Sequence, residues 1–158
     1  MMYPWLHSHY QAMVKAWQQG VMPHALLISG IQGVGKHALA DSIVEYILCE
    51  DKQGDSACGH CRGCQLSQSG NHPDWIQLGL EEKSKTLKIS QIRKLSQQLN
   101  QTPYAGRQVA VVNPACQMNL AAANALLKTL EEPTGKVLLI LIVYNASRLP
   151  ATILSRCQ

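Results

Sequence analysis

Ala25-Leu26-Leu27-Ile28-Ser29-Gly30-Ile31-Gln32-Gly33-Val34-Gly35-Lys36-His37 decides the fold of this 158-residue chain. Residues 25–29 form a short apolar run, as expected of a buried strand, and Gly30 opens a tight loop. From Lys36 the pattern turns helical, with Leu39, Ile43, Tyr46 and Ile47 on one face. The loop fits G-x-x-x-x-G-K, with His37 where a Ser or Thr would stand. Gly30, Gly33 and Gly35 let consecutive N–H groups turn inward around a phosphate, and the helix N-terminus adds its positive end. Lys36 is placed to reach the β- and γ-phosphates. His37, however, replaces the hydroxyl that ligates Mg²⁺, and an imidazole suits that hard, oxygen-seeking ion poorly.

Outward from this loop, the next buried strand should end in the carboxylates that hold Mg²⁺ and polarise water. Here Val109-Ala110-Val111-Val112 runs into Asn113-Pro114, and neither can carry a negative charge. Two independent losses argue against hydrolysis. Nucleotide binding stays open between a working cradle and a vestigial loop kept for packing. A helix is expected over 5–19, with Leu6, Tyr10, Met13, Val14 and Trp17 on one face and Gly20 as its stop. Trp75 to Leu80 alternates as a strand, and Lys83-Ser84-Lys85 reads as a solvated turn. Ser90 is expected to cap a helix facing inward through Ile92, Leu95 and Leu99, with Ile89 as a staple. Asn119 should cap an alanine-rich helix that runs to Glu132 and stops at Pro133. Val137 to Val143 is a further buried strand, and 150–156 a last short helix. This alternation argues a three-layer α/β domain, its mainly parallel sheet covered on both faces.

Composition agrees. Hydrophobic residues make up 46% and charged residues 15%, which excludes a disordered chain. The longest apolar run, 137–144, is too short to span a membrane, and 1–17 lacks the apolar core of a signal peptide. A net charge of +4 permits nucleic-acid contact without requiring it. There is no Phe, so Leu, Ile, Val, Ala and Met must build the core.

Four of the six cysteines fall between Cys49 and Cys64. Without an export signal, such a cluster reads as metal ligands in a reducing, cytoplasmic setting. Cys58-x2-Cys61-x2-Cys64 supplies three thiols, and zinc wants four in a tetrahedron. Cys49 is the first choice for the fourth ligand and His72 its rival, whereas His60 should point outward between two ligands. An iron–sulfur cluster shares the C-x2-C-x2-C run but lacks the fourth Cys and Pro expected soon after it. Four thiolates leave no open position, so the site would be structural. Cys116 and Cys157 read as small buried hydrophobes.

Three stretches together resemble the clamp-loader branch of the AAA+ proteins: the phosphate loop with a cysteine insertion after its helix, Asn124-Ala125-Leu126-Leu127-Lys128-Thr129-Leu130-Glu131-Glu132-Pro133, and Ser155-Arg156-Cys157. Cys58-Gly59-His60-Cys61-Arg62-Gly63-Cys64-Gln65 followed by His72-Pro73-Asp74 narrows the resemblance to one subunit type, which lacks the loop hydroxyl and the acidic pair. The resemblance implies a subunit that does not hydrolyse ATP itself but belongs to a DNA-directed DNA polymerase holoenzyme, a nucleotidyltransferase assembly acting in DNA replication. Its implied partners are the loader's ATPase subunits and delta subunit in a hetero-oligomeric ring, with the sliding clamp and primer–template DNA reached through the complex and no membrane. Arg156 would act in trans as an arginine finger on a neighbour's ATP; the rival reading makes it a structural ion-pair partner for an acid in its own domain. Residues 1–158 would be the N-terminal domain, with a zinc module at about 49–72 and the family's lid and collar domains absent from this chain.

Two other functions compete: an autonomous P-loop ATPase, and a zinc-dependent nucleic-acid module with a vestigial loop. Asn113-Pro114 argues against the first and the modest charge against the second. Lys83, Lys85, Lys88, Arg93 and Lys94 read as a solvated face, since no aromatic interleaves them. Glu131 and Glu132 sit at a helix C-terminus, where the dipole disfavours acids, which points to a partner cation across an interface or to plain solvation.

Overall fold

The computed structural model describes residues 2–132 and 136–158. Ala25–Ser29 (β1), Trp75–Leu78 (β2), Gln108–Val112 (β3) and Val137–Val143 (β4) form one sheet in the order β1-β4-β3-β2, parallel at every pairing. β4 is buried along its whole length and carries no polar residue, as a central strand covered on both faces requires. Its side chains divide by parity. Leu138, Ile140 and Ile142 enter one core, while Leu139, Leu141 and Val143 enter the other.

Helices His7–Gln18 (α1) and Lys36–Leu48 (α2) cover the first face through Tyr10, Val14, Leu39, Ile43, Val44 and Ile47. Arg62–Gln68 (α3) packs beside α2. Ile89–Leu99 (α4), Leu120–Glu131 (α5) and Ala151–Leu154 (α6) cover the second face through Ile92, Leu95, Leu126, Leu130 and Ile153. The expected three-layer α/β architecture is therefore present. None of these helices is long and apolar enough to cross a membrane.

The structure corrects several boundaries. The first helix opens as a 3-10 turn over Pro4–Leu6 and stops before Gly20, whose φ of 71° suits only glycine well. β2 ends at Leu78 rather than Leu80, because Leu78 pairs with Val112, the last residue of β3. Ser90 does not cap α4. Leu87, fully buried, is pinned by its N–H on the Gln117 carbonyl at 2.9 Å, so the extended chain ends at Lys88 and the helix starts at Ile89. The Gln91 side chain accepts from the Lys88 N–H at 2.9 Å in place of a serine cap. Asn119 does cap α5, accepting from Ala122 N at 2.8 Å, while the stop expected at Pro133 lies outside the described residues. α3 is a helix that the sequence patterning did not mark out, and it starts where Cys61 caps it. Cys116 is buried and Cys157 half-buried, as small hydrophobes.

Parallel pairing brings every strand's C-terminal end to one edge. β1 ends level with Val143, and Gly30 N donates to the Val143 carbonyl at 3.2 Å. The loops after β1, β3 and β4 therefore meet at that edge, where open α/β sheets bind ligands.

Candidate functional site: a closed phosphate loop, four thiols and an edge arginine

The phosphate loop has the expected backbone. Gly33 and Gly35 take φ of 83° and 97°, left-handed values at which side chains are strained. A Cβ at Gly35 would also collide with the Tyr3 ring. Lys36, however, is buried and turned onto its own loop, donating to the Gly30 and Ile31 carbonyls at 2.6 Å each. Two of the three N–H donors of the ammonium that would meet a phosphate are thus taken by the loop itself. Above the loop, the Trp5 indole N–H donates to the Val34 carbonyl at 2.9 Å, and the Tyr3 and Trp5 rings stack at 4.7 Å. Sequence reasoning missed both aromatics, although Trp5 lies off the apolar stripe of α1 and so needed another reason to be there.

The two residues that stand where the hydroxyl and the acid were expected touch each other. Asn113 Nδ2 donates to His37 Nε2 at 2.9 Å, joining the two residues that replace the hydroxyl and the acid. Neither side chain supplies the hydroxyl or the carboxylate of the usual ligand set. Burial raises the Asp41 carboxyl, one helical turn beyond, and His37 opposes that shift. At the end of β4, the Asn145 side chain accepts from the Ser147 N–H at 3.1 Å, and Arg148 donates to the Tyr144 hydroxyl at 3.2 Å. These groups bind their own loop.

All four expected thiols converge. The sulfurs of Cys49, Cys58, Cys61 and Cys64 lie within 4.8 Å of one another, with Cys58–Cys64 and Cys49–Cys61 at 3.9 Å each. A tetrahedron of Zn–S bonds near 2.3 Å has S···S edges of about 3.8 Å, so the site fits zinc. N–H groups point at the sulfurs: Cys58 N at Cys49 (3.3 Å), Cys61 N at Cys58 (3.2 Å) and Cys64 N at Cys61 (3.3 Å). Burial pushes the Cys61 thiol up, but the N–H groups of Cys64 and Glu50 outweigh it and bring it to about 6. Burial keeps Cys49 and Cys64 raised, so a metal ion must displace those protons to bind. α3 makes this possible: Cys61 is its N-cap and Cys64 stands in its first turn. Gly63 lies against the Leu48 carbonyl, where a Cβ would overlap the oxygen. His72 stands outside this group and accepts the Asp74 N–H at Nδ1, 3.1 Å.

Asp74, nearly fully buried, accepts from Tyr104 N at 2.9 Å and Ala105 N at 2.5 Å, so the His-Pro-Asp run anchors the loop before β3. Arg156 follows α6. Its Nη2 meets Glu131 Oε1 at 2.8 Å, and its Nη1 donates to the Thr152 carbonyl at 2.7 Å. Arg156 therefore pairs with an acid of its own domain, as the rival reading of this residue expects, and the cation beside Glu131 is not one from across an interface.

Strand, glycine loop and helix, with a four-thiol module after that helix, define a parallel-sheet α/β domain with a glycine-rich loop after its first strand. A family model described as "DNA polymerase III, delta subunit" matches residues 6–158. The chain belongs to that family. It is 43% identical to the DNA polymerase III subunit delta' of Escherichia coli over 99% of this chain and 47% of the relative. It is 42% identical to the subunit of the same name in Pseudomonas aeruginosa, over 98% of this chain and 47% of that one. A DNA polymerase III subunit tau/gamma of Haemophilus influenzae is 32% identical over 92% of this chain and 21% of its own length. The crystal structure of a DNA polymerase III gamma subunit-related protein from Thermotoga maritima shares the fold, at TM-score 0.69 and 21% identity over 92% of this chain and 44% of that one. The chain spans about half the length of the delta' relatives it matches.

Proposed function

We propose that residues 1–158 are the AAA+ domain of a delta'-type subunit that acts as a non-hydrolysing scaffold of the DNA polymerase III clamp loader. In this reading the lid and collar domains lie outside this chain. The delta' relatives and the tau/gamma relatives support the loader as its setting. The observation that carries the non-hydrolysing half is the His37–Asn113 bond, between the residues that stand where the hydroxyl and the acid were expected. Hydrolysis needs a metal to neutralise charge on the β- and γ-oxygens and a group to orient the water. Asn113 offers no anion for the first, and His37 is occupied with Asn113. Lys36, bonded to its own loop, and the Tyr3–Trp5 stack above it argue against ready phosphate entry.

The subunit's contribution would then be made at its other edge. Arg156 would deliver positive charge to a triphosphate held by the neighbouring ATPase subunit, a device worth about 10³–10⁵ in rate elsewhere. Zinc, bound by Cys49, Cys58, Cys61 and Cys64, would hold the module at about 49–72 closed and perform no chemistry. The protein carrying this domain, reconstituted with the other loader subunits, should support ATP-dependent clamp loading on primed DNA. Arg156→Ala should assemble normally and lose DNA-stimulated turnover. Wild-type turnover and loading by Arg156→Ala would overturn the trans-acting role.

A further inference from the structure

Arg156 has an exposed guanidinium, yet it is held on two sides. Nη1 donates to the Thr152 carbonyl at 2.7 Å and contacts Ser155 Oγ at 3.4 Å, while Nη2 meets Glu131 Oε1 at 2.8 Å. A guanidinium has five N–H donors. Three are engaged, and Nε–H and one Nη2–H have no partner among the described residues. Glu131 is the last residue of α5, where the helix dipole disfavours a carboxylate. Its side chain remains half-exposed, so solvation does not require the pair. The placement is explained by what it does to the arginine: two elements, the end of α5 and the turn after α6, fix one flexible side chain.

From this we infer that Glu131 is a positioning residue for Arg156, presenting its free N–H groups outward toward a neighbour's phosphoryl oxygens. The inference rests on the trans-acting reading of Arg156. An unrestrained arginine must lose its side-chain freedom when it engages phosphate, whereas a tethered one has already lost it. The carboxylate also leaves the local charge near zero until a more highly charged anion arrives. A half-exposed pair of this kind is weak, so it does not trap the arginine.

The test uses the protein carrying this domain in a reconstituted loader, with steady-state ATP turnover on primed DNA as the readout. Glu131→Ala should lower kcat by between about 10- and 100-fold, the scale of misplacing a catalytic group by about 1 Å, while KM for ATP stays within about two-fold. Glu131→Gln keeps the acceptor oxygen and should retain most of the activity, whereas Glu131→Met, of similar size but without an acceptor oxygen, should be as slow as Glu131→Ala. In an Arg156→Ala background, Glu131→Ala should add nothing further. Wild-type kcat in Glu131→Ala would overturn the positioning role. A lower KM in both Glu131→Ala and Glu131→Gln would overturn it too, since Glu131 would then be competing with the phosphate. Wild-type turnover in Arg156→Ala would instead sink the trans-acting reading, whatever the Glu131 variants do.

Discussion

Replacing Cys61 by Ser separates metal binding from helix capping. Cys61 is both a ligand and the N-cap of α3, its sulfur accepting from Cys64 N at 3.3 Å. Serine is a preferred N-cap, so the variant keeps the cap and loses the thiolate. Both apolar cores draw on the sheet and on helices other than α3, so the fold should survive with a loosened module. A metal bound at about 100–1,000 times its Kd stabilises the native state by about 3–4 kcal/mol. For a domain of this size, 1 kcal/mol moves Tm by about 2–4 °C, so Cys61→Ser should melt roughly 6–16 °C lower. Elemental analysis should find one zinc per wild-type chain and much less in the variant, with far-UV circular dichroism nearly unchanged. A wild-type domain purified without chelators that contains no zinc would refute the reasoning. So would an unchanged Tm on removing the metal.

The domain should not hydrolyse ATP, and His37→Ser alone should not create turnover because Asn113 remains; activity that survives purification and vanishes in Lys36→Ala would contradict this. Asp74→Ala should cost about 3 kcal/mol in urea unfolding, since two loop N–H groups lose a charged acceptor, and a change under about 1 kcal/mol would refute the anchor. Burial lowers the His72 pKa below 6.5, with Asp74 and Glu50 opposing. The unfolded chain therefore takes up that proton first, and stability should fall as pH drops below about 6.5. His72→Gln should flatten this part of the pH–Tm curve; an identical slope would show that other groups set it.

Much of this was legible because local chemistry and tertiary context agree. The run from Ala25 to His37 carries its own strand, loop and helix signals, and β4 reads as buried because it contains nothing polar. The thiol tetrahedron followed from spacing, since C-x2-C-x2-C places three sulfurs together and the end of α2 brings the fourth. What could not be read was set by partners distant in sequence. Leu87 starts α4 early because Gln117, thirty residues on, takes its N–H. The closed state of Lys36 depends on a rotamer, and glycine spacing does not encode rotamers. Glu131 and Arg156 each looked unusual alone, and only the fold shows that they meet.

The backbone of Gln158 lies along the outer side of β1: Leu27 N donates to its carbonyl at 2.7 Å, and its own N–H donates to Ala25 O at 3.1 Å. β1 is an outermost strand, and such an apolar rim invites pairing with another molecule. The Gln158 backbone takes up the Leu27 N–H and the Ala25 carbonyl on this stretch of rim. The same two bonds stitch the backbone two residues beyond Arg156 to the strand that launches the phosphate loop. The arginine's place along the molecular margin is therefore set by sheet pairing as well as by α6.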